Sequence, residues 1–239
     1  MIADKRLIVA IDVDTMGKVQ NLVETLGDSV SYYKVGMELF YSVGNQVITY
    51  LRSQGKDVFL DLKLNDIPNT VGQSLAALTE LGISMLNVHA SGGSTMMAAA
   101  AQAVKNKAYS MGIERPKLIA VTVLTSIDSG EWNALGYNLD LSKQVVHLAR
   151  LAQNAGLDGV VASPQEAAQI RAACGDEFSI VTPGIRPSGA AINDQSRIAT
   201  PASALKSGAH HLVIGRPITA AQDPRQAAQV ILQEMRDKV

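Results

Sequence analysis

Along this chain, short apolar runs of β-branched character alternate with longer segments rich in Ala, Leu and Gln. The short runs are "LIVAIDV" from Leu7, "YYKVG" from Tyr32, "VFLDLKL" from Val58, "MLNVHA" from Met85, "LIAVTVL" from Leu118, "GVVAS" from Gly159, "SIVTPGI" from Ser179 and "HLVIGRPI" from His211. Strand-sized runs separated by helix-sized ones predict repeated βα units around a parallel sheet. Eight such units in 239 residues fit the ~250 residues of a closed (β/α)8 TIM barrel. An open doubly wound sheet is the competing arrangement, but no G-x-G-x-x-G follows the first run. No low-complexity linker or shift of composition divides the chain, so residues 1–239 read as a single α/β barrel domain.

Two connections are long: "TSIDSGEWNALGYNLDLS" after the fifth run and "RPSGAAINDQSRIATPAS" after the seventh. Both follow the C-terminal ends of strands, where barrels build their sites. Trp132 and Tyr137 in the first read as a local cluster that packs the loop. The second, rich in Gly, Ser, Ala and Asn, reads as a lid.

Composition narrows the partners more than the fold. Hydrophobic residues make up 47% and charged residues 18%, with 21 Lys and Arg against 22 Asp and Glu. No global field then favours nucleic acid or an anionic membrane, and any anion site must be local. The one cysteine, Cys174, excludes an intramolecular disulfide, fits a reducing cytosol, and reads as structural or incidental. The opening "MIADKRLIVAIDVD" has an apolar run that acidic residues interrupt, which predicts neither a signal peptide nor a transmembrane span. A cytoplasmic protein is expected.

Candidate chemistry concentrates in "DVFLDLKLNDIPNT", residues 57–70. Alternation along a strand puts Phe59, Asp61 and Lys63 on one face and Leu60, Leu62 and Leu64 on the other. In a barrel the leucines suit the helix side. Asp61 and Lys63 then project into the mouth, with Cα atoms about 6.5 to 7 Å apart. Asp66 lies just beyond the strand, near the start of a helix that carries Pro68 in its first turn. "AIDVD" places Asp12 at the end of the first strand and "YYKVG" places Lys34 at the end of the second, so Asp12, Lys34, Asp61 and Lys63 should converge. Isolated buried charges are heavily penalised, but opposite neighbours compensate one another in such an array. Flanked by carboxylates, Lys63 suits a proton donor better than a Schiff-base nucleophile.

Across the mouth, "TPGIRP" and "VIGRPI" supply Gly184, Arg186, Gly215 and Arg216 where barrels commonly bind phosphate. Glycine admits an anion close to backbone N–H groups, and a guanidinium can bind two phosphate oxygens. His89 reads as a hydrogen-bonded histidine at the fourth strand end, and His210 and His211 as residues entering the eighth strand.

Taken in order, "AIDVD", "YYKVG", "DLKLNDIPNT", "VTVLTS", "TPGIRP" and "VIGRPI" resemble orotidine 5'-phosphate decarboxylases of the short bacterial type, over essentially the whole chain. The resemblance implies decarboxylation of orotidine 5'-monophosphate to uridine 5'-monophosphate in de novo pyrimidine synthesis, with no metal and no organic cofactor. It implies that Lys63 delivers the proton to C6 of the pyrimidine, with Asp61 beside the departing carboxylate and Lys34 holding the charge array. Asp12 and Lys34 would contact ribose hydroxyls, and Thr125 and Ser126 would lie near the base. Gln195 and Arg216 would hold phosphate, with Gly215 beside them and Arg186 in the same loop region. Asp66 and Thr70 would reach into a neighbouring subunit's site, making the working unit a homodimer with shared sites. The nearest rival is a phosphosugar decarboxylase or synthase on the same barrel, which would use a divalent metal.

Overall fold

A computed structural model describes residues 3–187 and 199–237. Eight parallel strands close into a barrel in chain order: β1 Leu7–Ile11, β2 Tyr32–Gly36, β3 Asp57–Leu64, β4 Met85–His89, β5 Lys117–Val121, β6 Gly159–Val161, β7 Ser179–Thr182 and β8 His211–Ile214. Closure is made by β1 on β8, with Leu7 opposite Leu212 and Val9 opposite Ile214. The TIM barrel read from the alternating pattern is the observed architecture.

The helices are α1 Met16–Leu26, α2 Met37–Val43, α3 Gln46–Ser53, α4 Pro68–Thr79, α5 Gly93–Met111, α6 Ser129–Ala134, α7 Leu141–Asn154, α8 Ala167–Cys174, α9 Pro201–Lys206, α10 Arg216–Thr219 and α11 Pro224–Asp237. Their starts follow from local chemistry. Thr15 and Asp140 accept hydrogen bonds from the first-turn amides of α1 and α7, while Pro68 occupies the first turn of α4, where its missing N–H costs nothing. In α1 the residues Val19, Leu22, Val23 and Leu26 are buried at helical spacing, so one stripe faces the sheet.

Burial occurs in two layers. Outward-facing strand residues such as Val9, Leu60, Leu86 and Leu118 pack against the helices. Inward-facing ones, among them Ile8, Phe59, Met85, Ile119, Val181 and Val213, fill the barrel. The filled interior forms a floor, so polar side chains one step nearer the C-terminal end of a strand stand in the mouth.

Most strands end earlier than their apolar runs. β1 stops at Ile11, leaving Asp12 just beyond it, and β8 stops at Ile214 because Gly215 turns the chain into α10. The regular strand expected through Lys63 is interrupted. Leu60 pairs with Leu86 and Leu64 with Val88, so four steps along β3 face two along β4. Lys63 has φ 54°, the one positive value among described non-glycine residues. Side-chain alternation survives, since Leu60 and Leu62 still pack outward.

In the loop after β5, Trp132 is 5% exposed, stacks on Tyr137 at 4.0 Å between ring centroids, and donates from Nε1 to the Leu139 carbonyl. That is the packing cluster expected of it. Of the other long loop, read as a lid, residues 188–198 lie outside the described residues. Cys174 is a buried free thiol. Among the described residues no helix is long and apolar enough to cross a membrane.

Candidate active site

Four side chains on or just beyond three consecutive strands meet at the mouth. Lys63 Nζ lies 2.7 Å from Asp61 Oδ1, Lys34 Nζ lies 3.5 Å from Asp61 Oδ2, and the same ammonium is 3.1 Å from Asp12 Oδ1. The chain of contacts therefore runs Asp12, Lys34, Asp61, Lys63, with alternating sign. Register explains the convergence: Lys34 pairs with Phe59 across β2 and β3, which puts Asp61 one pleat further toward the mouth on the same face.

Asp61 is 8% exposed. Burial alone would push its carboxyl up, but Lys34, Lys63 and the hydrogen bond from Asn87 outweigh burial and hold it below the usual carboxylate range. It is an anion at neutral pH. Desolvating such ions costs several kcal/mol each, and a buried pair commonly returns little more than that. Stability is therefore a poor reason for this array, and chemistry in the mouth a better one.

Beside the charges is a cavity of about 190 Å³. Its lining combines Lys34, Asp61, Lys63 and Thr125 with apolar residues, among them Phe59, Val121, Val123, Val161, Pro183 and Val213. An apolar slot against a fixed ammonium suits a flat, weakly polar ring that acquires negative charge. His89 at the end of β4 is half-buried, and burial together with Lys63 lowers its pKa, so it is neutral near pH 7.

Two features escaped the sequence reading. Asn87, 1% exposed on β4, accepts the Lys63 main-chain N–H at Oδ1 (2.8 Å) and donates from Nδ2 to Asp61 Oδ1 (2.7 Å). The left-handed backbone of Lys63 costs about 1–2 kcal/mol, comparable with the ~1 kcal/mol of the hydrogen bond that its amide gains. Its only signal in sequence was an amide at an inward-facing position of an apolar run. Gly36 is the second: a Cβ there would stand 2.9 Å from Lys34 Nζ and 3.6 Å from Asp12 Oδ1. Glycine at the end of β2 leaves the room in which that pair forms.

Of the remaining expected residues, some stand beside this centre and others do not. Gly215 lies next to the array, since a Cβ on it would be 3.6 Å from Asp12 Oδ2. Arg216 follows at the start of α10 and is exposed. Gly184 adopts the left-handed conformation, φ 76°, that turns the chain after β7. Arg186 is buried, donates from Nη1 to the Ile185 carbonyl, and is not among the cavity-lining residues. Ser126 is exposed beside Thr125 and does not line the cavity. Asp66 and Thr70 are exposed and outside the charge cluster; Asp66 accepts the Ile67 amide, and Ile67, not Asp66, is the residue preceding α4. Gln195 lies outside the described residues. Among the described residues no group of three or more His, Cys, Asp or Glu side chains is placed to hold a metal ion.

Comparison with known proteins bears on this site. The model of the orotidine 5'-phosphate decarboxylase / HUMPS family matches residues 5–231. The chain is 50% identical to an orotidine 5'-phosphate decarboxylase of Trichlorobacter lovleyi, covering 98% of this chain and 96% of the relative. It is 49% identical to one of Moorella thermoacetica, covering 98% and 94%. The crystal structure of orotidine 5'-phosphate decarboxylase from Lactobacillus acidophilus superposes with a TM-score of 0.86 at 42% identity, covering 98% of this chain and 100% of that one.

Proposed function

Because the chain belongs to the orotidine 5'-phosphate decarboxylase / HUMPS family, we propose that its mouth converts orotidine 5'-monophosphate to uridine 5'-monophosphate and CO2 with Lys63 as the proton donor. Decarboxylation of that nucleotide is the activity, and it serves pyrimidine synthesis. The observation that carries the assignment of roles is the contact of Lys63 Nζ with Asp61 at the edge of an apolar slot.

In this reading the bond from C6 to the carboxylate carbon breaks, CO2 leaves, and the electron pair stays on C6. Lys63 gives that carbon a proton and regains one from solvent. The ring offers no ordinary sink for the pair, so the barrier must be lowered by charge fixed in advance. Enzymes as a class lower barriers by about 8–23 kcal/mol, and an ammonium already aimed at the developing anion acts without solvent reorganisation. Asp61 holds the ammonium there and lies beside the departing carboxylate.

Asp12 and Lys34 take the ribose hydroxyls, Thr125 and Ser126 the base, and Arg216, Gln195 and the Gly215 backbone the phosphate, with Arg186 bracing that loop region. Phosphate is remote from the chemistry, yet its binding energy can order the charges around the base. Asp66 and Thr70 act in a partner's site within a homodimer; their exposure away from the local array supports that division. No metal or organic cofactor takes part.

The deciding experiment is loss of orotate absorbance with and without excess chelator, for wild type and Lys63→Ala. Chelator-insensitive turnover that falls on the order of 10⁴-fold in the variant is expected. Turnover that chelator abolishes, or that survives in Lys63→Ala, would refute the assignment.

A further inference from the structure

We propose that Asn87 is a positioning residue for the decarboxylation: its carboxamide fixes the Asp61 carboxylate and the Lys63 backbone at the same time, and so sets where the Lys63 ammonium stands. The inference rests on Lys63 being the proton donor. Three contacts close a ring. Lys63 N–H donates to Asn87 Oδ1 at 2.8 Å, Asn87 Nδ2 donates to Asp61 Oδ1 at 2.7 Å, and Lys63 Nζ donates to that same oxygen at 2.7 Å. The lysine is thereby held at both ends, by its main chain and by its tip, through one side chain on the neighbouring strand.

The amide orientation follows from chemistry. A main-chain N–H can only donate and a carboxylate can only accept, so a flipped amide would set donor against donor and acceptor against acceptor. The bond also falls where ladder pairing is lost. Lys63 lies between the paired residues Leu60 and Leu64, with a positive φ that a lysine rarely adopts. A side chain thus supplies the partner in this stretch, where the pairing register has shifted. Packing alone does not ask for an amide at a position 1% exposed, because an apolar residue would fill the same volume without desolvating polar atoms.

Steady-state kinetics on Asn87→Ala and Asn87→Asp, beside wild type and Lys63→Ala, test this between about pH 6 and 8.5. Asn87→Ala is expected to lower kcat about 100-fold, with KM within roughly threefold because the groups proposed for ribose and phosphate are untouched. Asn87→Asp keeps the acceptor for Lys63 N–H but sets a carboxylate against Asp61. The ionisable groups gathered there are Asp61 and Lys63 on β3, Lys34 on β2 and His89 on β4. Its kcat should be low at alkaline pH and rise as pH falls, when the two carboxylates share a proton that restores the donor; wild type should show no such rise. Being nearly isosteric, Asn87→Asp carries the test even where the alanine variant fails to fold. Wild-type kcat in either variant, a flat pH profile for Asn87→Asp, or kcat and KM moving together in Asn87→Ala would overturn the positioning role. With Lys63→Ala inactive, such a result leaves the proton-donor reading standing. Activity retained by Lys63→Ala would overturn both.

Discussion

Lys34 reaches Asp61 from the neighbouring strand, Nζ to Oδ2 at 3.5 Å, while its other side touches Asp12 at 3.1 Å. One ammonium thus joins the carboxylate proposed for the ribose to the one proposed to lie beside the reacting carbon. If Asp12 binds the ribose as proposed, ribose binding and charge placement are parts of one network. It also makes the network sensitive to where a single flexible side chain ends.

Gly36→Ala tests that sensitivity without touching a charge. The new methyl would stand 2.9 Å from Lys34 Nζ, and the far end of a lysine moves more readily than backbone. Gly36 has φ −91°, which alanine adopts without strain. Melting temperature should therefore stay within a few degrees of wild type, while kcat/KM falls by about 10- to 100-fold. Thermal unfolding and initial rates on the same preparation check it; unchanged kcat/KM would show that Lys34 tolerates displacement.

Much of this site could be read in the sequence because ionisable residues at the C-terminal ends of apolar runs are conspicuous, and barrel topology says that consecutive strand ends converge. Asp12, Lys34, Asp61 and Lys63 met both conditions. Asn87 met only the second, since a lone amide within "MLNVHA" looks like any polar residue until a neighbour's register is known. The register shift at Lys63 could not be read at all: alternation predicts a regular strand, and the shift depends on what β4 offers opposite it. Gly36 was silent for a similar reason, as its role is the space it leaves for side chains of other residues.

Arg171 should be a large contributor to stability with no part in the chemistry. Its Nη1 donates to the carbonyls of Gly175, Asp176 and Phe178, and its Nη2 to that of Gly208 and to His210 Nδ1. Five contacts therefore tie the segment before β7 to the segment before β8. Arg171→Ala leaves several partly buried acceptors unmatched and should cost about 2–4 kcal/mol. Arg171→Lys, with three donors on a single nitrogen, should recover only part of this. Urea unfolding measures the loss; kcat of the folded fraction should not change.

Acid should destabilise the fold through His211 before it titrates the site carboxylates. Burial, with Lys117 and His210 nearby, depresses its pKa to about 4 despite the hydrogen bond to the Lys5 carbonyl, and its ring packs edge-on against Tyr32. The unfolded chain takes up this proton near pH 6.5. Stability from the neutral ring is therefore complete above that pH and is lost as pH falls toward 4. Between pH 7.5 and 5 the loss is about 2 kcal/mol. His210 is depressed in the same direction, by burial and by Arg171, and adds to the trend. His211→Gln keeps a donor for Lys5 but cannot titrate, so urea midpoints should fall less with acid in the variant than in wild type. Parallel curves would assign the acid sensitivity elsewhere.

Shared sites make a prediction that no property of one subunit can imitate. Asp66, just before α4, and Thr70, in its first turn, are exposed and away from the local charge array, and we assign them to a neighbouring subunit's site. Lys63→Ala and Asp66→Ala homodimers should then both be inactive, each lacking one component in both sites. In a hybrid dimer one site receives Lys63 from one chain and Asp66 from the other and is intact, while the second site lacks both. Random exchange makes half of all dimers hybrid, so mixed protein should recover roughly a quarter of wild-type activity. Subunit exchange must be followed independently, for example by mass-labelled chains. Full exchange with no recovered turnover would confine each site to a single chain and leave Asp66 with only its local bond to the Ile67 amide.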